Sequence, residues 1–193
     1  MKKIVLAAAL SFGAAFGAQA ADANAPVRFL AGAGLTFGGD NLVTVAFSDG
    51  STDTLKAGGI FHLYAGGEFR VGDAVSLQGT IGYHVDDTRA ANNGSVRFTR
   101  VPVDMLALYR VNDKVRLGAG VQWVNGPELK GSGVASNINA KFKNTTGAIV
   151  AGEYFFSPQI AGQLRYVSEE FEPQSGGGKV DGSHIGLMFN WYF

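Results

Sequence analysis

The last ten residues of the chain alternate. Ile185, Leu187, Phe189, Trp191 and Phe193 share one face, and His184, Gly186, Met188, Asn190 and Tyr192 share the other. A period of two is that of a strand, whose successive side chains point to opposite sides of the pleat. Five large apolar groups on one face, the final residue among them, make a poor surface for water. They make the surface that a barrel in a membrane needs, because lipid solvates its outside. The C-terminal segment therefore reads as the closing strand of such a barrel.

The other end of the chain points the same way. Lys2 and Lys3 precede an apolar run over Ile4–Phe16, and Ala18-Gln19-Ala20 has the small-residue pattern of a cleavage site. The run is too short for a spanning helix and carries no basic stop. A signal peptide is expected over residues 1–20, leaving 193 − 20 = 173 residues from Ala21 onward. Without the two lysines, 16 − 2 = 14 basic side chains face 16 acidic ones, a balance that suggests neither a nucleic-acid partner nor a polybasic membrane anchor. The absence of cysteine excludes disulfides and thiolate metal sites. Abundant glycine, phenylalanine and tyrosine favour strands and turns over helices.

Patterning predicts strands near Val27–Phe37, Thr54–Arg70, Ala74–Asp86, Val96–Val111, Lys114–Asn125, Phe142–Phe156, Gln159–Phe171 and Val180–Phe193. Three connectors are tight: Val71-Gly72-Asp73, Asn112-Asp113 and Ser157-Pro158. Four are longer, around Gly38–Asp53, Asp87–Ser95, Gly126–Lys141 and Glu172–Lys179. Long and short connectors alternate, as they do in an up-and-down barrel with all its short turns on one side. Eight strands over 173 residues allow roughly 22 residues per strand and connector, room for a span of about 9–11 residues and a link. Sixteen strands would not fit. The expected fold is all-β, an eight-stranded antiparallel up-and-down transmembrane β-barrel over residues 21–193.

Most strands are two-sided. Val75, Leu77, Ile81, Tyr83 and Val85 oppose Ser76, Gln78, Thr80, His84 and Asp86; Phe61, Leu63, Ala65 and Phe69 oppose His62, Tyr64, Glu68 and Arg70. The fourth strand is less clean, with Leu106 and Leu108 on the same face as Asp104 and Arg110. A soluble, lipocalin-like carrier would turn the apolar face inward. Two features argue against that. The polar face is rich in glycine and short side chains, and Phe69, Tyr109, Tyr154, Phe156, Trp191 and Phe193 gather beside the short turns, where an aromatic girdle would sit. With the polar face inward, Arg28, Glu68, Arg70, Asp104, Arg110, Arg116, Glu153 and Arg165 project into the lumen. Eight strands leave an interior only wide enough for side chains, so these charges must pair. Arg28 and Arg70 are expected at the rim, in water.

Taken together, the leader, the eight two-sided strands, the alternating connectors and the terminal segment from His184 to Phe193 resemble the small Gram-negative outer-membrane barrels. These are of the OmpA-transmembrane-domain and OmpX type, the outer membrane protein beta-barrel domain. The resemblance covers the whole mature chain. It implies a monomer in outer-membrane lipid and lipopolysaccharide, with Phe189, Trp191 and Phe193 as the signal read by the barrel-assembly machinery. It also implies a hairpin protruding from the first long connector, where Val43, Val45 and Phe47 alternate. It does not imply the peptidoglycan-binding role of larger relatives.

No catalytic, cofactor-binding or metal-ligating set is apparent. Of three histidines, His184 adjoins Ser183, and neighbours on a strand point to opposite faces. His84 and Asp86 share a face, as a solvated pair at the rim; with Asp87 they are too few to hold a metal firmly. Gly32-Ala33-Gly34 and Gly176-Gly177-Gly178 lack the strand–turn–helix context of a phosphate loop. The expected role is that of a non-enzymatic barrel with a charge-plugged lumen, acting structurally or through its loops. A narrow pore is the alternative, and a lipid- or peptide-modifying enzyme comes third.

Overall fold

A computed structural model of the chain describes residues 25–46, 52–90 and 94–193. The expected signal peptide and Phe47 lie outside the described residues. Among the described residues thirteen strands run in chain order: β1 Val27–Gly38, β2 Asn41–Ala46, β3 Thr52–Lys56, β4 Ile60–Arg70, β5 Val75–Ala90, β6 Gly94–Arg110, β7 Val115–Ser132, β8 Asn139–Lys141, β9 Thr145–Phe155, β10 Ile160–Ser168, β11 Glu170–Phe171, β12 Val180–Asp181 and β13 His184–Tyr192. Eight of them close a barrel. The antiparallel order β6-β5-β4-β1-β13-β10-β9-β7 is completed by pairing of β6 with β7. First and last strands lie side by side, with Leu30 opposite Tyr192 and Gly38 opposite His184.

Burial follows the alternation of the sequence. In β13 every even-numbered residue from His184 to Tyr192 is buried, and every odd-numbered one is exposed. The exposed set over the barrel includes Phe29, Leu63, Ile81, Leu117, Leu164, Leu187 and Phe189, a continuous apolar band. A band of that extent on a soluble monomer would be an aggregation surface; here it is the lipid-facing wall. Phe69, Tyr109, Tyr154, Phe156 and Trp191 are exposed at its turn-side margin, where an interfacial girdle belongs.

The walls are unequal. Strands β4 and β9 have 11 residues and β10 and β13 have 9, the length of a tilted span. Strands β5, β6 and β7 have 16, 17 and 18. They stand five to seven residues above β4, a further reach of roughly 17–23 Å at about 3.3 Å per residue. Above the apolar band their outer face turns polar, with Asp87, Arg97, Lys130 and Asn139 in one cross-strand row.

Several expected boundaries shift, each for a local reason. The segment Thr54–Arg70 is two strands, divided by a turn at Ala57–Gly58. Gly126 does not end its strand, because Gly126 and Pro127 form a bulge opposite Arg100 and pairing resumes at Glu128. The segment Gln159–Phe171 breaks at Glu169, and Val180–Phe193 breaks at Gly182-Ser183. The protruding sheet is β5-β6-β7-β8, not an extension of the first hairpin. Strands β2 and β3 instead form a separate two-stranded ribbon, and its Leu42, Val43 and Leu55 turn onto the mouth of the barrel.

At Gly66 and Gly120 the neighbouring strand approaches too closely for a side chain. A Cβ on Gly66 would collide with the Gly79 carbonyl oxygen of the neighbouring strand, and one on Gly120 with that of Met105. Backbone cannot give way as a side-chain tip can. Gly66→Ala and Gly120→Ala should each cost about 1–3 kcal/mol of stability, read as a smaller folded fraction in a heat-dependent gel shift. Gly72→Ala, whose Cβ would meet nothing within 4 Å, should leave that fraction unchanged.

Candidate functional site: the braced lumen and its loop cap

The inward faces of the eight strands fill the barrel in tiers. At the turn end, Arg28 from β1, Glu68 from β4, Arg116 from β7 and Glu153 from β9 meet Tyr192 from β13. Arg28 donates to Glu68 at 2.7 Å. Arg116 donates to both Glu68 oxygens at 2.8 Å, to Glu153 at 2.5 and 2.9 Å, and to the Tyr192 hydroxyl at 2.8 Å. Tyr192 and Asn190 each donate to the other Glu153 oxygen at 2.7 Å. Tyr64 donates to Asn190. Two cations and two anions cancel, and the carboxylate oxygens are occupied, as burial of charge requires. The Arg28 guanidinium also lies 4.5 Å from the Tyr192 ring centroid and that of Arg116 4.7 Å from the Phe155 centroid, in cation–π range.

The middle tier is mixed. Arg165 pairs with Asp104 at 2.9 Å, and Gln122 donates to Asp104 at 2.8 Å. Beside them Leu106, Leu108, Ile149, Ala151 and Val167 form an apolar cluster. The two leucines that blur the alternation of β6 are thus lumen filling.

The upper tier gathers all three histidines with Arg100 and Glu169. His62 stacks on His84 with centroids 4.9 Å apart, and His184 stands edge-on to His84 at 5.3 Å. Arg100 donates through Nε to His84 Nδ1 at 3.0 Å, which leaves Nε2 carrying the proton 2.7 Å from the Thr36 hydroxyl. Glu169 lies 3.5 Å from His184 and 3.8 Å from Arg100.

Above that tier the loops close over the mouth. Phe98 of β6, Phe171 of β11 and Phe142, the residue after β8, meet edge to face at 5.6–6.1 Å. Leu55, Val96, Val124 and Leu129 complete a dry cap. Arg100 ties the cap to the tier below. Its side chain donates to the Ala57 carbonyl and lies 5.4 Å from the Phe98 and Phe171 ring centroids.

A cavity of about 410 Å³ opens at the turn end beside Arg110, Asn112 and Lys114. Another of about 520 Å³ opens at the loop end beside Lys143, Glu172, Lys179 and Asp181. In the latter, a hydrogen bond from Lys143 lowers the Glu172 carboxyl below its ordinary range, and one to Glu170 raises the Lys179 ammonium.

Of the charges assigned to the lumen, Glu68, Arg116 and Glu153 fall in the lower tier and Asp104 and Arg165 in the middle one. Arg70 and Arg110 are half-buried at the turn end. Arg28 is not a rim group in water; it is 6% exposed and ion-paired. His84 and Asp86 are not a solvated pair either. They are 1% and 3% exposed, and Asp86 accepts from the Lys56 backbone at 2.9 Å, because the β2–β3 ribbon folds over them. Asp87 points outward to Arg97. Among the described residues no three His, Asp or Glu side chains are placed to hold a metal ion. Arg100 and Glu169 are the lumen charges that sequence reasoning missed. Arg100 has the inward parity of Asp104, and Glu169 that of Arg165.

The outer membrane protein beta-barrel domain family matches the chain over residues 6–193. The chain belongs to this family. Membership makes it an outer-membrane barrel in a lipid and lipopolysaccharide environment. Among solved structures, the attachment invasion locus protein Ail of Yersinia pestis, in complex with the heparin analogue sucrose octasulfate, is similar with a TM-score of 0.56. The two share 10% identity over 86% of this chain and 97% of that one. Neisserial surface protein A gives 0.52 at 9% identity, over 88% and 98%. At such identities the likeness is one of fold. No curated protein matches the chain in sequence.

Proposed function

We propose that this outer-membrane barrel is a closed, non-enzymatic one, exported through a cleaved leader, that acts from its cell-surface module rather than as a pore. The observation that carries the reading is the double closure of the lumen. Arg116 and its partners cross the barrel at the turn end, and the phenylalanine cap covers the loop end. A solute would have to part a charge-paired tier and then a dry apolar one. Burial of all three histidines leaves no imidazole on either surface to serve as a general base. Phe189, Trp191 and Phe193 stand as the signal for assembly, and the tall wall with its folded ribbons is the surface for an outside partner.

The mature chain, refolded as a monomer in detergent and placed in a planar bilayer near neutral pH, should show a heat-dependent gel shift and no steady conductance. Discrete, reproducible openings would overturn the closed reading and make the narrow pore the function to pursue.

A further inference from the structure

Arg100 has an unusual set of partners. Its guanidinium lies wholly inside the protein, yet most of what it touches is above it: the Ala57 carbonyl at the end of the β2–β3 ribbon, the Phe98 ring, and the Phe171 ring of β11. Below it, the one well-aligned acceptor from the barrel wall is His84 Nδ1. That acceptor exists only while the imidazole is neutral. A proton on Nδ1 replaces a lone pair with an N–H pointing at another N–H 3.0 Å away, and adds a positive charge beside a buried cation.

The surroundings offer little to absorb that charge. His62 stacks on His84 with neither ring nitrogen hydrogen-bonded, and Nε2 of His184 is likewise unsatisfied. Arg165 from β10 is a further cation facing the group, committed to Asp104. Glu169 is the nearest carboxylate, at 3.8 Å from Arg100 and 3.5 Å from His184, with no hydrogen bond at either oxygen. Asp86 is spent on the Lys56 backbone, and Asp53 holds Thr88. These last two contacts are separate acid-labile ties on the same ribbon.

We propose that Arg100 and His84 form an acid-released latch that holds the extracellular cap onto the barrel. In the neutral state His84, locked by Thr36 and Arg100 on its two ring nitrogens, anchors the guanidinium that in turn fixes Ala57 and the two phenylalanines. Protonation of His84 expels Arg100 from its acceptor, and the β2–β3 ribbon and Phe171 lift from the mouth. Lower-tier pairs are not part of the latch, so release of the cap exposes the upper lumen without opening a through-channel. The proposal deepens the closed-barrel reading and rests on it.

The chain has no cysteine, so spin labels can be placed cleanly at Thr44→Cys on the ribbon and Lys130→Cys on the tall wall. The labelled barrel in lipid is measured at about pH 7.5 and about pH 3, because burial beside a cation opposes protonation of an imidazole across the ordinary histidine range. The latch requires the label–label distance to lengthen at acid pH by at least one inter-strand spacing, roughly 5 Å. His84→Gln can accept from Arg100 and donate to Thr36 without titrating, and should stay closed at both pH values. Arg100→Met should be open at both, and its own folding is checked by the gel shift. An unchanged wild-type distance overturns the latch. An acid opening that survives His84→Gln also overturns it, assigning release to Asp86, Asp53 or Glu169. Bilayer current from the same protein near neutral pH would instead count against the closed-barrel reading, while the distances still judge the latch.

Discussion

Replacing Arg116 by methionine should be the most damaging single change in the barrel, at about 3–5 kcal/mol. The side chain bridges Glu68 and Glu153 and bonds the Tyr192 hydroxyl, so its removal leaves Glu153 a buried anion with only the neutral donors Asn190 and Tyr192, and Glu68 with Arg28 alone. Methionine keeps much of the volume, and the loss is therefore electrostatic. Urea unfolding in lipid vesicles, followed by tryptophan fluorescence, measures it. The double variant Arg116→Met, Glu153→Gln removes the orphaned charge as well, keeps the Arg28–Glu68 pair, and should recover most of the loss. Recovery would show that the tier serves closure more than stability; no recovery would mean that the pairs stabilise the barrel outright.

Phe171→Ala should have an effect of similar size but different reach. Phe171 is 0% exposed and packs against both Phe98 and Phe142. Truncating so large a buried side chain costs about 3–5 kcal/mol. The cap lies above the paired tiers, on the upper ends of β6 and β7 and the loops that fold over them, so the cost falls on cap opening and shifts that equilibrium by a hundredfold or more. Limited proteolysis should then cut the long loops much faster while the barrel keeps its heat-dependent gel shift. A barrel that itself unfolds at lower urea would show that cap and barrel form one cooperative unit.

The eight-stranded barrel was legible because lipid outside and a narrow lumen inside impose opposite demands on alternate residues, and His184–Tyr192 carry that contrast without a break. The lower-tier ion pairs were legible for the same reason: Glu68, Arg116 and Glu153 sit in phase with their strands. What parity could not give was height. Arg28 has the right phase but reads as a rim group until Glu68 is seen beside it. The cap was hidden because its parts, Leu55, Phe98, Phe142 and Phe171, come from four connectors or strand ends that no periodicity joins. Arg100 was lost where the Gly126-Pro127 bulge disturbs the pairing opposite it, and Glu169 where its strand stops one residue short. Long-range loop packing writes no local signal.

The unequal height of the wall gives the molecule a front and a back. On the β5-β6-β7-β8 side, a neighbouring lipopolysaccharide meets apolar strand at the level of its acyl chains and a charged panel, with Arg97 and Lys130 in it, at the level of its sugars. On the β1-β13-β10 side the barrel strands are shorter, and above them stands only the small β11–β12 ribbon with its Glu170–Lys179 pair. Saccharide chains are therefore fenced off along one arc of the circumference and free to lean over the other. A visitor from outside the cell reaches the cap most easily across the low arc, so unequal strand length sets the direction of approach.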